Sequence, residues 1–268
     1  MGISVPSLGK RQVVAIVRQV RLKEESKMKA IAINASQMMG KGNTAAILNP
    51  FMDGMREAGT EVEVYYTKQL NIQPCQGEFS CQIKTPGKCF QKDDMEMLLP
   101  KLAEADIQVF ATPVYVDGIA SSLKCLWERT VPLANPFFEL RDGHCYKRRR
   151  KDSDTGKVVL VSTCGYWEMD NFDPMLAHAK ARCRNINREF AGALLRPHSS
   201  ALKIMTSGDI QINDIFEAAR EAGRQLVEEG KMSSKTLAAI SRPLMPLGEY
   251  IQNMNHMYQQ ALDALRVD

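Results

Sequence analysis

Three short stretches of this chain hold side chains able to grip a phosphate and a flat ring. The first runs Asn34-Ala35-Ser36-Gln37-Met38-Met39-Gly40-Lys41-Gly42-Asn43-Thr44. It offers hydroxyls at Ser36 and Thr44, an amide at Asn43 and two glycines that admit backbone close to a ligand. With a helix starting at its end, these are the parts of an anion cradle made of neutral donors and a helix dipole, to which Lys41 adds a charge. An ordinary strand-to-helix turn uses Asn and Thr as caps too, so this stretch alone supports both readings. It is neither a Walker A loop nor a GxGxxG fingerprint. The second stretch, Thr112 to Gly118, brackets Tyr115 between Pro113 and Gly118, which suits the wall of a ring-binding pocket or a rigid connection with an outward tyrosine. The third, Thr163-Cys164-Gly165-Tyr166-Trp167, again combines a hydroxyl, a glycine and two aromatics.

The elements that must position these stretches follow from the apolar pattern. Ala30 to Ile33, Val62 to Tyr66, Ile107 to Ala111, Val158 to Ser162 and Ala191 to Leu195 read as strands. Helices fit 44–58, a segment opened by Asp93-Asp94 as N-cap, 120–129, 174–188 and 213–229. Pro50 and Pro100 fall inside two of them, and Pro50 predicts a bend. Five short apolar strands separated by helices imply a doubly wound parallel sheet, and the three stretches then all follow strands one, three and four at one sheet edge. Residues 137–156 are a polar insertion outside this alternation. The segment 231–268 is helical in character, with Ile251, Met254, Met257, Tyr258, Ala261, Leu262 and Leu265 at helical spacing, and is expected to embrace the domain or a second subunit. Residues 1–27 form an extension whose charge suits either a plain appendage or a basic targeting segment.

At 268 residues with 44% hydrophobic and 25% charged residues, the chain can bury a large core around one domain and its appendages. A net charge of +4 is too mild for a nucleic-acid binder. No apolar run reaches the ~20 residues of a membrane-spanning helix. Seven cysteines without a secretory signal point to reduced thiols and a cytoplasmic protein. Lys147 to Lys151 reads as a solvated loop or, alternatively, as a site for a 2′-phosphate or an acidic partner. The four histidines show no ligand spacing. The Asn34-Ala35-Ser36 sequon is read as chance.

The motifs Ala35-Ser36 followed by Gly42-Asn43-Thr44, Cys75, Lys92-Asp93-Asp94-Met95, Ala105-Asp106 and Thr112-Pro113-Val114-Tyr115 together resemble the NAD(P)H-dependent FMN reductases, in the branch related to iron–sulfur flavoproteins. The resemblance covers about residues 29–230. It implies a flavodoxin-like domain over 28–230 with strand order 2-1-3-4-5 and helices on both faces. It also implies FMN phosphate at Ser36, Asn43 and Thr44, with Met38, Lys41 and Gly42 in the same loop. The isoalloxazine would lie against Pro113, Val114, Tyr115, Val116, Asp117 and Gly118, with further contacts from Thr163, Cys164, Gly165 and Tyr166.

Two departures stand out. Gln37-Met38 replaces the usual Pro-Arg of the phosphate loop, so Lys41 would have to substitute for the arginine. Cys75, Cys81 and Cys89 stand where the branch places four cysteines, with Gly77-Glu78 in place of a further one, which leaves too few thiolates for a cluster. The implied activity is hydride transfer from NAD(P)H through FMN to a small acceptor such as a quinone, flavin, nitro or azo compound, with no side-chain acid or base required. A homodimer or higher homo-oligomer is expected, with no nucleic acid or membrane as partner. The alternative is a non-enzymatic electron carrier that docks to a redox partner protein.

Overall fold

A computed structural model describes residues 27–150, 156–202 and 212–265. The extension expected over 1–27 lies, but for Lys27, outside the described residues. Five parallel strands form the central sheet: β1 (Lys29–Asn34), β2 (Glu61–Tyr66), β3 (Ile107–Pro113), β6 (Lys157–Thr163) and β7 (Glu189–Arg196), in the order β2-β1-β3-β6-β7. Counting only these strands, that is the 2-1-3-4-5 order. Every pairing is parallel, so each connection must cross a face of the sheet, and helices supply the crossings.

The period-two pattern of the strands decides which face each side chain joins. Ala30, Ala32, Val109, Val159 and Val161 pack with helices α1 (Asn43–Glu57) and α5 (Asn213–Glu228). Ile31, Ile33, Phe110, Val158 and Leu160 pack on the other face with α2 (Met95–Glu104), α3 (Ser121–Glu128) and α4 (Asp173–Asn185). Both faces are covered, which is why these strands carry continuous apolar runs rather than alternating polar ones. Helix α1 continues through Pro50, and α2 through Pro100, without interruption.

The structure refines three sequence expectations. The described part of the insertion expected over 137–156 lies in a two-stranded antiparallel hairpin, β4 (Ala134–Arg141) and β5 (His144–Arg149), closed by a turn with positive φ at Asp142 and Gly143. Its alternation is masked in the sequence because charges stand on both faces, Lys147 and Arg149 on one and Glu139, Arg141 and Arg148 on the other. Asp94 is the N-cap residue of α2, but its carboxylate accepts from Asn71 N–H at 2.7 Å while Asp93 accepts from Met95 N–H at 3.1 Å. The C-terminal segment divides into α6 (Ser234–Ser241), which packs beside β7 and α5, and α7 (Leu247–Ala264), of which only Tyr250 is buried.

Helices α1 and α5 approach so closely that glycine is required at the crossing. A Cβ on Gly54 would lie 1.9 Å from the Arg220 carbonyl oxygen, and one on Gly223 would lie 2.1 Å from that of Phe51. In a helix interior Gly→Ala ordinarily gains about 1 kcal/mol. Here the obstacle is backbone, which cannot swing away, so overpacking reverses the sign. Gly223→Ala is expected to cost about 2 kcal/mol net and lower the Tm by roughly 4–8 °C. Thermal unfolding followed by circular dichroism checks this, and a Tm at or above wild type would mean that the helix pair separates without penalty.

Candidate functional site

The carboxyl edge of the sheet gathers the three loops singled out from the sequence. At the end of β1, the fully buried Asn34 accepts from Ser36 N–H at 2.9 Å and donates Nδ2 to the Met39 carbonyl at 3.4 Å. This fixes the loop, and the burial leaves no room for a glycan on the Asn34 sequon. Ser36 Oγ accepts from Met38 N–H at 3.3 Å and keeps its own proton to donate. Gly42 is the N-cap of α1, and a Cβ there would meet Ser36 Oγ and Met38 Cβ at 2.9 Å each. No side chain caps α1, and its first backbone bond runs from Ala46 N–H to the Gly42 carbonyl at 3.1 Å. The N–H groups of Asn43, Thr44 and Ala45 therefore have no intrahelical acceptor, the arrangement that favours an anion.

The loops are joined to one another. Thr44 and Thr163 share a buried hydroxyl–hydroxyl hydrogen bond of 2.9 Å, linking the first loop to the third. That bond uses one of two protons, so the pair retains an O–H to give. Asn43 Nδ2 donates to Ser199 Oγ at 3.3 Å, and Ser199 N–H donates to the Cys164 carbonyl at 2.8 Å. Val114 N–H donates to the Thr163 carbonyl at 2.8 Å, which ties the second loop to the third. Thr112 Oγ1 accepts from Ala120 N–H at 3.0 Å and closes the base of the second loop.

At the tip of that loop, Tyr115 and Gly118 exchange backbone hydrogen bonds of 2.9 and 3.1 Å around Val116 and Asp117, with φ values of 46° and 60°. A β-branched residue in the left-handed region is strained, and Val116 is 98% exposed, so packing does not compensate it. Tyr115 and Tyr166 stand half-exposed beside it, and Met38 and Gly165 are exposed as well. Pro113 lies at the end of β3. Lys41 is exposed on the first loop. A second cation, not singled out from the sequence, reaches the same loop: Lys68 Nζ donates to the Gln37 carbonyl at 3.0 Å. Lys68 follows β2, which lies next to β1, so only the strand order brings it there.

Beneath the third loop lies a buried network that the sequence pattern did not reveal. Arg196 and His198 are almost fully buried. Arg196 donates to the carbonyls of Pro197 and Ile240 at 2.8 Å each, and to His198 Nε2 at 2.8 Å. Leu244 N–H also donates to His198 Nε2, at 3.0 Å. Two donors on Nε2 assign the neutral tautomer with the proton on Nδ1. The imidazole is stacked on Trp167 and edge-on to Tyr250, with centroids 5.8 and 5.7 Å away. Tyr250 donates its hydroxyl to the Gly165 carbonyl, and Trp167 Nε1 donates to the Met245 carbonyl at 3.2 Å. The root of α7 is thereby fastened to the third loop. Burial holds the Cys164 thiol above its ordinary value, so it stays protonated.

Cys75, Cys81 and Cys89 line one cleft of about 310 Å³ together with Glu78 and Arg129. Arg129 forms a buried ion pair with Asp93 and donates to Cys89 Sγ at 3.5 Å. All seven cysteines are free. Among the described residues, no three His, Cys, Asp or Glu side chains are grouped to hold a metal ion. Cys75, Cys81 and Cys89 bring three thiols to this cleft, one fewer than the four that ordinarily hold an iron–sulfur cluster. No described helix is long and apolar enough to cross a membrane.

Burial, reinforced by the Arg196 charge, lowers the His198 pKa to about 4. Its folded value lies below the ordinary ~6.5, so the unfolded chain takes up the proton first as pH falls. The stability held by neutral His198 is complete above pH ~6.5 and lost progressively down to about pH 4, by an amount on the order of 2–3 kcal/mol. Urea unfolding between these pH values is expected to show this decline. His198→Gln, which cannot take up the proton, is expected to remove most of that slope while lowering stability at neutral pH.

The profile of the NADPH-dependent FMN reductase family matches residues 28–170. An iron–sulfur flavoprotein of Methanocaldococcus jannaschii is 35% identical over 106 residues, covering 40% of this chain and 53% of that protein. One from Archaeoglobus fulgidus is 35% identical over 103 residues, covering 38% and 49%. The chain thus spans about half the length of these relatives. Among solved structures, an NAD(P)H:quinone oxidoreductase from Methanothermobacter marburgensis superposes with a TM-score of 0.55 at 20% identity, over 75% of this chain and 96% of that one. An FMN-dependent NADH-azoreductase from Bacillus anthracis, in complex with FMN, gives 0.55 at 13% identity, over 75% and 98%. At these identities the likeness is one of fold.

Proposed function

The chain belongs to the NADPH-dependent FMN reductase family, and from that premise we propose that it binds FMN at the joined loops and passes electrons from NAD(P)H to a small acceptor such as a quinone, flavin, nitro or azo compound. The observation that carries this reading is the uncapped N-terminus of α1, with Ser36, Asn43 and Thr44 around it and the other two loops hydrogen-bonded to it. Bound FMN would supply the hydride chemistry, taking a hydride from the nicotinamide and releasing electrons to the acceptor.

The chain's own residues bind and orient. Ser36 Oγ, the residual proton of the Thr44–Thr163 pair and the N–H groups of Asn43 to Ala45 would hold the phosphate, and Gly42 admits it because no Cβ stands in the way. Lys41 and Lys68 would provide the positive charge that the missing arginine would have brought. Pro113 to Gly118 would wall one side of the ring, with the Val116–Asp117 turn holding Tyr115 at the edge; Thr163 to Tyr166 would wall the other. No side chain is required to transfer a proton. The Thr44→Val, Asn43→Asp double variant removes one donor and sets a carboxylate against the phosphate. It is expected to weaken FMN binding at least ~100-fold, two interactions at about 1.5 kcal/mol each. Fluorescence titration with FMN measures it, and anaerobic NADPH is expected to bleach the flavin bands of the wild type. Undiminished FMN affinity in the double variant would remove the phosphate site. Flavin bands that persist under NADPH would favour a carrier that needs a partner protein.

The chain is further proposed to act as a cytoplasmic homodimer through α7. Leu247, Ile251, Met254, Tyr258, Ala261 and Leu265 recur at alternating steps of four and three, a coiled-coil seam. Ile251, Tyr258 and Leu265 on it are 48%, 61% and 76% exposed. No charged residue interrupts the helix from Ile251 to Leu262, so two copies would meet without repulsion. Sedimentation is expected to give a dimer at micromolar concentration and a monomer for Ile251→Glu with Tyr258→Glu. A wild-type monomer would remove the seam as an interface.

A further inference from the structure

On the α2 face of the sheet, between that helix, the turn at Gly87–Lys92 and the foot of the hairpin, lies a cleft of about 460 Å³. It shares no residue with the three loops of the candidate site. Its volume falls in the range of small-molecule sites, roughly 300–1,000 Å³. Met95, Leu99, Pro100 and Leu133 form apolar walls, with Ala103 at one end. Met95 and Leu99 are core residues of α2, so the floor is rigid and preformed.

The rim has the opposite character. Lys88, Lys92 and Arg150 stand around it beside Arg149, and among the described residues of its lining Glu96 is the one carboxylate. Lys92 and Glu96 offset each other, which leaves the charges of Lys88 and Arg150 on the rim. Glu96 is engaged by Lys92 at 2.9 Å on an exposed edge, with side chains 66% and 77% accessible, where a pair is only weakly held. Arg150 is anchored through backbone carbonyls: Nε donates to Pro132 at 2.9 Å and Nη2 to Cys81 at 3.2 Å. Those bonds orient its guanidinium at the cleft without supplying an opposing carboxylate. A cationic rim over an apolar, preformed floor is complementary to an amphipathic monoanion. It offers no set of convergent polar groups for a sugar or a base.

We propose that this cleft is a second binding site, separate from the three loops, for a small apolar carboxylate such as a medium-chain fatty or aromatic acid. The hydrocarbon would lie against Met95, Leu99 and Leu133, with the carboxylate at Lys88 and Arg150. This site does not depend on the flavin reading, since it shares neither residues nor chemistry with it.

Calorimetric titration of the full chain with sodium decanoate tests it. Binding is expected with a Kd on the order of 10–500 µM, and decyltrimethylammonium is expected to bind at least ~10-fold more weakly. Ala103→Trp, which fills the cleft from its half-buried end, is expected to abolish decanoate binding while FMN affinity stays unchanged. Lys88→Gln with Lys92→Gln, at exposed positions that leave folding intact, is expected to weaken decanoate about 5- to 10-fold. No binding by the wild type at about 10 mM decanoate would overturn the proposal. So would equal binding of the cationic amphiphile, or decanoate affinity that neither variant changes.

Discussion

Backbone at the carboxyl edge of a parallel sheet runs out of ladder partners, and in this protein short polar side chains take over. Asn34, Thr112, Ser162 and Thr163 are all almost fully buried at strand ends, where leaving such groups unpaired would cost about 1–3 kcal/mol each. Each is instead spent on a loop: Asn34 on the Ser36 turn, Thr112 on Ala120 N–H, Ser162 on the Thr112 carbonyl and Thr163 on Thr44. Satisfying the strand ends and shaping the loops are therefore one act. The same bonds leave the first N–H groups of α1 turned outward with no side-chain cap, which is where the proposed phosphate site draws its polarity.

Beside that edge a second set of buried polar groups fastens the C-terminal segment to the domain. Arg196 and His198 reach Ile240 and Leu244, while Trp167 and Tyr250 reach across from either side. A buried arginine and imidazole side by side are tolerated because both guanidinium bonds and both Nε2 contacts are made and the imidazole stays neutral. This gives α6 and the root of α7 a structural role at the third loop, while beyond Met254, which still packs on the core, Tyr258, Leu262 and Leu265 are exposed. One segment thus buttresses the candidate site at its start and leaves apolar side chains exposed further along.

Much of this was legible in the order of residues. Apolar runs separated by helical periods specify a doubly wound sheet because strands covered on both faces have no polar side to show. Ser36, Asn43, Thr44 and the Pro113–Gly118 stretch could be singled out as a candidate site because small hydroxyl, amide and glycine-bearing loops directly after strands suit phosphate and ring binding. The hairpin at Ala134–Arg149 was not legible, since its charged residues occupy both faces and hide the alternation. The Asp93-Asp94 cap of α2 was legible, but the way the two aspartates divide their bonds between Asn71 and Met95 was not.

The family resemblance implied the sheet order, while the residues themselves determined the strand–helix alternation and the loops that carry the polar chemistry. These depend on local periodicity and on residue type next to a strand end. Tertiary structure decided which distant groups meet. Lys68 joins the Gln37 loop because β2 lies beside β1, and Ser199 joins Asn43 because β7 ends near α1. Cys75, Cys81 and Cys89 share a cleft with a buried Arg129–Asp93 pair rather than a metal-ligand geometry. Residues tens of positions apart are brought together only by the packing of whole elements, and no pattern in a linear chain records which faces that packing will oppose.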